Sequence, residues 1–262
     1  MFRCFSPVRA ALVAILVLGV LASNAGAGSL LDAIRERGVL RVGTTGDYAP
    51  FTLRDAVSGE RSGFDIEQAR ALASAMGVKV EFVETSWPTL AADLAAGRFD
   101  IAMGGVSITA DRVAKGAFST PYLSDGKTPI ARCADAGRFE TVDQIDRPET
   151  RVVVNPGGTN ERFARAHFPH SKLTIVPDNT RVFDEIVEGR ADVMVTDATE
   201  TRLQAKRHAG VLCAVHPDAP FDRAEKAYWF SRDDALKTSV DAWLARERAD
   251  GSFAERARRW LQ

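Results

Sequence analysis

Apolar and polar positions along this chain follow several distinct rhythms. The first stretch, "ALVAILVLGVLA" (11–22), has none, since twelve apolar residues run unbroken. It follows "MFRCFSPVRA", with Arg3 and Arg9, and precedes "SNAGAG", where Ala25 and Ala27 are spaced as an A-x-A cleavage site. Residues 1–27 therefore read as a secretory signal peptide. At about 1.5 Å per residue, such a run is too short for a hydrocarbon core of roughly 30 Å. No second run approaches membrane length, so the mature form is expected to have no membrane span.

Beyond the leader the rhythm alternates between a period of two and a period near 3.6. "GVLRVGTT" (38–45) reads as a strand. In "GFDIEQARALASAMG" (63–77), Ile66, Ala69, Ala73 and Met76 recur at helical spacing and Gly77 stops the helix. "VKVEFVE" (78–84) alternates as a strand. "SWPTLAADLAAG" (86–97) is predicted as a helix, with Ser86 as cap and Pro88 in the first turn. "FDIAMGG" (99–105) is the next strand. This order predicts an α/β chain with a mainly parallel sheet.

The order then repeats. "AADLAAGRFDIAMGG" (91–105) and "FDEIVEGRADVMVTD" (183–197) share a helix, Gly-Arg, Asp and an apolar strand. Upstream of each lies a strand feeding a Gly-rich turn, "LRVGTTGDYAPF" (40–51) and "RVVVNPGGTNERF" (151–163). Two lobes of one kind follow, with crossovers near 121–130 and 220–230 and the last thirty residues returning to the first lobe. Ligands of open α/β sheets sit beyond the carboxyl ends of the strands. Those ends carry "TTGDY", "GGVSIT", "NPGGTNE" and "TDATE", and all four should face one cleft.

Composition changes this picture in two places. With 34 basic and 35 acidic residues among 262, no cationic excess points to nucleic acid. Loss of the leader removes Cys4 and leaves Cys133 and Cys213. In an exported chain that pair predicts a disulfide, the alternative being two separate buried thiols.

Each strand-end motif admits a chemical and a plain structural reading. In "GGVSITADR" (104–112), backbone N–H groups, Ser107, Thr109 and Arg112 would hold a carboxylate; alternatively Thr109 only caps a helix. In "NPGGTNE" (155–161), Asn155 and Thr159 can meet an anion, or Thr159 can cap. The motif is neither G-x-G-x-x-G nor a P-loop. Trp87 can wall a pocket or fill a core, and Lys127 can reach an anion or lie on the surface. Asp197 and Glu200 have the spacing of a capping box. "HFPH" (167–170) lacks metal-site geometry, and neither zinc spacing nor a G-x-S-x-G elbow occurs.

"LRVGTTGDYAPFT", "GFDIEQARALA", "GGVSITADRVAKGAFSTPY" and "ADVMVTDATE" resemble periplasmic solute-binding proteins for polar amino acids, over nearly all of the mature chain. The resemblance implies a type II two-lobed fold of mixed sheets flanked by helices, with lobes at 28–126 plus 223–262 and at 127–222. It implies that Arg112 grips an α-carboxylate and Asp197 takes an α-amino group.

"TSWPTL", "RFDIAMGGVSI", "PYLSDGKTPI", "VNPGGTNE", "LCAVHP" and "FDRAEKAY" are similar to a narrower group, the cyclohexadienyl dehydratases, periplasmic enzymes on the same fold. That likeness implies conversion of prephenate to phenylpyruvate and of L-arogenate to L-phenylalanine, with Glu200 as general acid and no cofactor. The substrate-binding set is then Arg112, Lys127, Asn155, Thr159, Ser107, Trp87, Asp197 and Asp47. The competing reading is a periplasmic amino-acid binding protein of an ABC transporter.

Overall fold

The computed structural model describes residues 1–2 and 28–262, so the predicted signal peptide falls almost wholly outside the described residues. Two five-stranded sheets organise the rest. In chain order their strands are β1 (Val39–Thr44), β2 (Lys79–Glu84), β3 (Ile101–Ala102), β4 (Ala117–Phe118), β5 (Lys127–Arg132), β6 (Arg151–Val154), β7 (Lys172–Ile175), β8 (Val193–Asp197), β9 (Leu212–Ala214) and β10 (Trp229–Phe230). The first sheet runs β2-β1-β3-β10-β4 and the second β7-β6-β8-β5-β9. In each, the first three strands are parallel and the last two antiparallel to their neighbours. The two sheets are two copies of one topology, and the strand that completes the first copy, β10, comes from the far end of the chain.

The repeated Gly-Arg-x-Asp segment has a structural cause. Each ends a helix, Leu90–Ala95 or Val182–Val187, with a glycine at φ +65 or +75. Arg98 pairs back to Asp93 at 2.8 Å, and Arg190 to Glu185 at 2.7 Å. Asp100 then accepts from the backbone N–H and the guanidinium of Arg41, both at 2.8 Å. Asp192 does the same for Arg151, at 2.9 and 3.1 Å. The acid clamps the start of the third strand to the first, in both lobes.

Helices cover both faces of each sheet, which is why "RVVV" and "VMV" are unbroken apolar runs. Val152, Val154, Val193 and Val195 pack on one face with Phe139 and Phe168. Val153 and Met194 pack on the other with Phe183 and Ile186. In the first lobe, Leu31, Ile34, Leu40, Phe64 and Leu72 share a core with Leu236, Val240, Trp243 and Leu244 of the helix Asp234–Ala249. Strands Leu123–Asp125 and Ala224–Lys226 pair antiparallel where the chain passes between the lobes. No helix among the described residues is long and apolar enough to cross a membrane.

Two local expectations shift. The helix predicted over 86–97 covers Leu90–Ala95 only, because Ser86–Thr89 closes a turn in which Ser86 O accepts from Thr89 N and Leu90 N. The strand over 99–105 shortens to Ile101–Ala102, since the chain leaves the sheet at Met103 to form a loop. Cys133 and Cys213 form the expected disulfide, with Cα atoms 4.8 Å apart, joining β9 to the end of β5.

Candidate active site

The four strand-end motifs meet at one cavity between the lobes. Tyr48 comes from "TTGDY", Gly105 and Ser107 from "GGVSIT", Asn155, Gly158, Thr159 and Asn160 from "NPGGTNE", and Asp197 from "TDATE". Trp87, Arg112, Asn179 and Lys226 complete the wall. Of the predicted site residues, Arg112, Asp197, Asn155, Thr159, Ser107 and Trp87 therefore line it. Lys127, Glu200 and Asp47 stand directly behind the wall.

Arg112 begins in a short helix, Ala110–Lys115, whose N-cap Thr109 accepts from Arg112 N. Its guanidinium is 6.0 Å from the centroids of both Trp87 and Trp229. Among the described residues it makes a single hydrogen bond, to Ser107 O at 2.9 Å, and Arg112 is 7% exposed. Burial, with Arg162 adding to it, brings its pKa down to about 10, so it stays charged at neutral pH. A buried guanidinium with unused donors is a ready receptor for a carboxylate.

Two of the backbone N–H groups expected to join it are already spent. Gly105 N donates to Asp65 Oδ2 at 2.6 Å, and Ile108 N to Glu225 O at 2.8 Å. Thr159 likewise does not cap its helix. Gly158 is the N-cap, Glu161 accepts from Gly157 N, and Thr159 Oγ1 accepts from Lys127 Nζ at 3.0 Å.

Asp197 is the hub of the cavity. Lys127 Nζ binds its Oδ1 at 2.8 Å, while Lys226 Nζ and Tyr48 OH both bind Oδ2. Burial pushes its carboxyl up, but the two ammonium groups outweigh burial and hold it well below the usual carboxylate range. The capping box does not form. Asp197 occupies the N-cap position of the helix Ala198–Arg207 without a side-chain cap bond. Both its oxygens face lysines instead of the α-amino group that the resemblance implies.

Glu200 is turned away from the cap as well. Its Oε2 accepts from Thr196 Oγ1 at 2.6 Å, and among the described residues its Oε1 has no hydrogen-bond partner. Burial raises its pKa to about 8; the Asp197 charge adds to the rise, while the Thr196 bond and Lys127 oppose it. Thr196 Oγ1 in turn accepts from Asn160 Nδ2 at 2.9 Å, which also donates to Asn155 Oδ1 at 3.1 Å. A polar chain therefore leads from the cavity wall at Asn155 to a protonated carboxyl. Asp47 accepts from Trp87 Nε1 at 3.1 Å and fixes that ring; burial raises its pKa.

Lys226, Tyr48, Asn160, Thr196 and Asn179 escaped the sequence reading. Thr196 carried a signal, as a polar residue inside the apolar run "VMVTD". Lys226 carried none beyond its place in a crossover.

The model of the bacterial extracellular solute-binding proteins, family 3, matches residues 40–262. Cyclohexadienyl dehydratase from Pseudomonas aeruginosa is 51% identical, over 89% of this chain and 87% of that protein. A probable amino-acid ABC transporter-binding protein from Haemophilus influenzae is 30% identical, over 90% and 89% of the two chains. Among solved structures, an ancestral amino acid-binding protein described as a precursor of cyclohexadienyl dehydratase is 36% identical, with a TM-score of 0.83 over 89% of this chain and 100% of that one. An ancestral cyclohexadienyl dehydratase is 50% identical, with a TM-score of 0.56 over 90% and 97%.

Proposed function

We infer the function from one premise: the chain belongs to the bacterial extracellular solute-binding proteins, family 3. Within that family we propose that it is a periplasmic cyclohexadienyl dehydratase, acting on prephenate and L-arogenate. The observation that carries this reading is Glu200, a buried carboxyl whose pKa of about 8 keeps it protonated at neutral pH beside an anion-binding cavity. Holding an amino acid requires no such proton.

The substrate is a cyclohexadienol with a carboxylate on C1 and a hydroxyl on C4. Glu200 Oε1 delivers a proton to the hydroxyl, and the C4–O bond breaks to release water. The C1–carboxylate bond breaks to release CO2, and its electron pair enters the ring, which becomes aromatic. Solvent returns the proton to Glu200. Aromatisation supplies the driving force, so the enzyme need only place one acid and fix the carboxylates. Arg112 takes one carboxylate, with Ser107 beside it. Asn155 and Thr159 face the other, with the charge of Lys127 behind Thr159, Trp87 covers the ring, and Thr196 aims Glu200 by holding Oε2.

Purified protein mixed with prephenate should yield phenylpyruvate, and Glu200→Gln should abolish the product. Tight binding of a common amino acid with no turnover would instead establish a transport binding protein.

A further inference from the structure

The ammonium group of Lys226 sits at the junction of the two lobes. The residue ends the strand Ala224–Lys226, is 1% exposed and lines the cavity. Its Nζ donates to Ser107 Oγ at 3.0 Å and to Asp197 Oδ2, and lies 3.4 Å from Tyr48 OH. The rings of Tyr48 and Phe51 flank it at 5.3 and 5.8 Å. Ser107 and Tyr48 belong to the first lobe and Asp197 to the second, so Lys226 is part of the contact that draws them together.

The consequence is chemical. Lys127 already holds Oδ1 of Asp197, and Lys226 with Tyr48 saturates Oδ2. Two ammonium groups already offset the single charge of Asp197, so the carboxylate has little left to offer an incoming α-ammonium group. The same ammonium would also meet Lys226 at close range in a low-dielectric cavity, where like charges repel strongly. An α-keto group carries no charge and meets neither obstacle. A substrate with two carboxylates and no amine is further favoured by three cations, Arg112, Lys127 and Lys226, around the cavity.

Resting on the dehydratase reading, we propose that Lys226 is the specificity-determining residue of the site, biasing it toward the dianionic α-keto acid over the α-amino acid by occupying Asp197. Removing its charge while keeping its bulk frees one acceptor position on Asp197 Oδ2 for an amine and removes the repulsion.

The test compares wild type with Lys226→Met and Lys226→Arg on prephenate and L-arogenate, and by calorimetry on phenylpyruvate and L-phenylalanine, which differ in the same keto and amino groups. In Lys226→Met the arogenate-to-prephenate ratio of kcat/KM should rise by about tenfold or more, the change that one close buried charge pair carries. The affinity ratio of L-phenylalanine to phenylpyruvate should move the same way, and Lys226→Arg should keep the wild-type ratios. An equal fall on both substrates would assign Lys226 a merely structural role and overturn the proposal. So would unchanged ratios, or the same shift in Lys226→Arg. Lys226→Gln replaces Lys226→Met if the latter does not fold. Should wild type turn over neither substrate, the dehydratase reading fails by itself, and the calorimetric ratio alone decides on Lys226. A wild type that neither turns over a substrate nor binds either product overturns both.

Discussion

The edge formed by β10 and β4 in the first sheet and the edge formed by β5 and β9 in the second occupy the same place in the same strand order, yet they are closed by different means. In the first, Trp229 faces Phe118 across the ladder, and their rings stack 5.9 Å apart. In the second, the Cys133–Cys213 disulfide joins the two strands. The contrast extends to the strand ends. β3 stops after two residues, and the chain loops from Met103 to Thr109 before its helix begins. β8 runs through five buried residues straight into the helix Ala198–Arg207. Thr196, Asp197 and Glu200 are therefore placed by a strand and a helix that leave little freedom. Arg112 reaches the same cavity by the length of its side chain. On the proposed reading an acid must be placed to a fraction of an ångström, whereas a guanidinium can find its carboxylate, so each lobe supplies the group its geometry suits.

That division of labour can be broken most severely from the second lobe. Glu200→Gln should lower kcat by about a thousandfold, the worth of a placed general acid, measured by phenylpyruvate formation. In wild type the same carboxyl predicts that kcat falls as pH rises through about 8. Its folded pKa lies above its ordinary value of 4.5, so the folded state holds the proton more tightly. Stability should then be greatest below pH 4.5 and decline toward pH 8, by on the order of 3–5 kcal/mol from this group. Denaturant melts of Glu200→Gln at several pH values should lack that part of the slope.

The second lobe should also depend on its bridge. Replacing Cys133 and Cys213 with serine opens a loop of 80 residues and should cost about 4 kcal/mol on the chain-entropy model. Hydrogen exchange should show the loss concentrated in β5 and β9, with the edge of β10 and β4 unchanged. Equal loss at both edges would show that the two lobes do not differ in this respect.

From the first lobe, Arg112→Met should reduce kcat/KM by about a hundredfold through loss of one buried carboxylate partner, without moving the alkaline limb of the pH profile. A shift of that limb would mean that Arg112 acts on Glu200 and not on substrate. The smallest effect concerns the contact between lobes. A Cβ on Gly157 would lie 2.6 Å from Pro88 Cγ, at φ +75. Gly157→Ala should lower kcat/KM by about tenfold through impaired closure. Gly189 has the same φ of +75 with nothing within 4 Å. Gly189→Ala should therefore cost about 1 kcal/mol of stability and leave kcat/KM alone.

Much of this was legible along the chain. Alternating periods announced the α/β order, and the Gly-Arg-x-Asp repeat announced two copies, because strand faces and helix stops act over short range. The four turns at the strand ends were legible too, since glycines and hydroxyls mark them. Their partnerships were not. Spacing made Asp197 and Glu200 a capping box, and the local argument was sound, but two buried lysines compete for Asp197 more strongly than a backbone N–H does. The N–H of Gly105 in "GGVSIT" looked free because Asp65, forty residues earlier, was not known to reach it.

The sequence by itself determined the elements, the repeat, the cleft ends and the residues that can carry charge there, since each depends on neighbours a few positions away. Tertiary structure alone decided which charges meet. Tyr48 lies 149 residues from Asp197, Lys127 lies 70 and Lys226 lies 29. The β5–β8 ladder sets Lys127 opposite Asp197, and the closing of one lobe on the other brings in Tyr48 and Lys226; burial then keeps Glu200 protonated while the two lysines keep Asp197, three residues away, ionised.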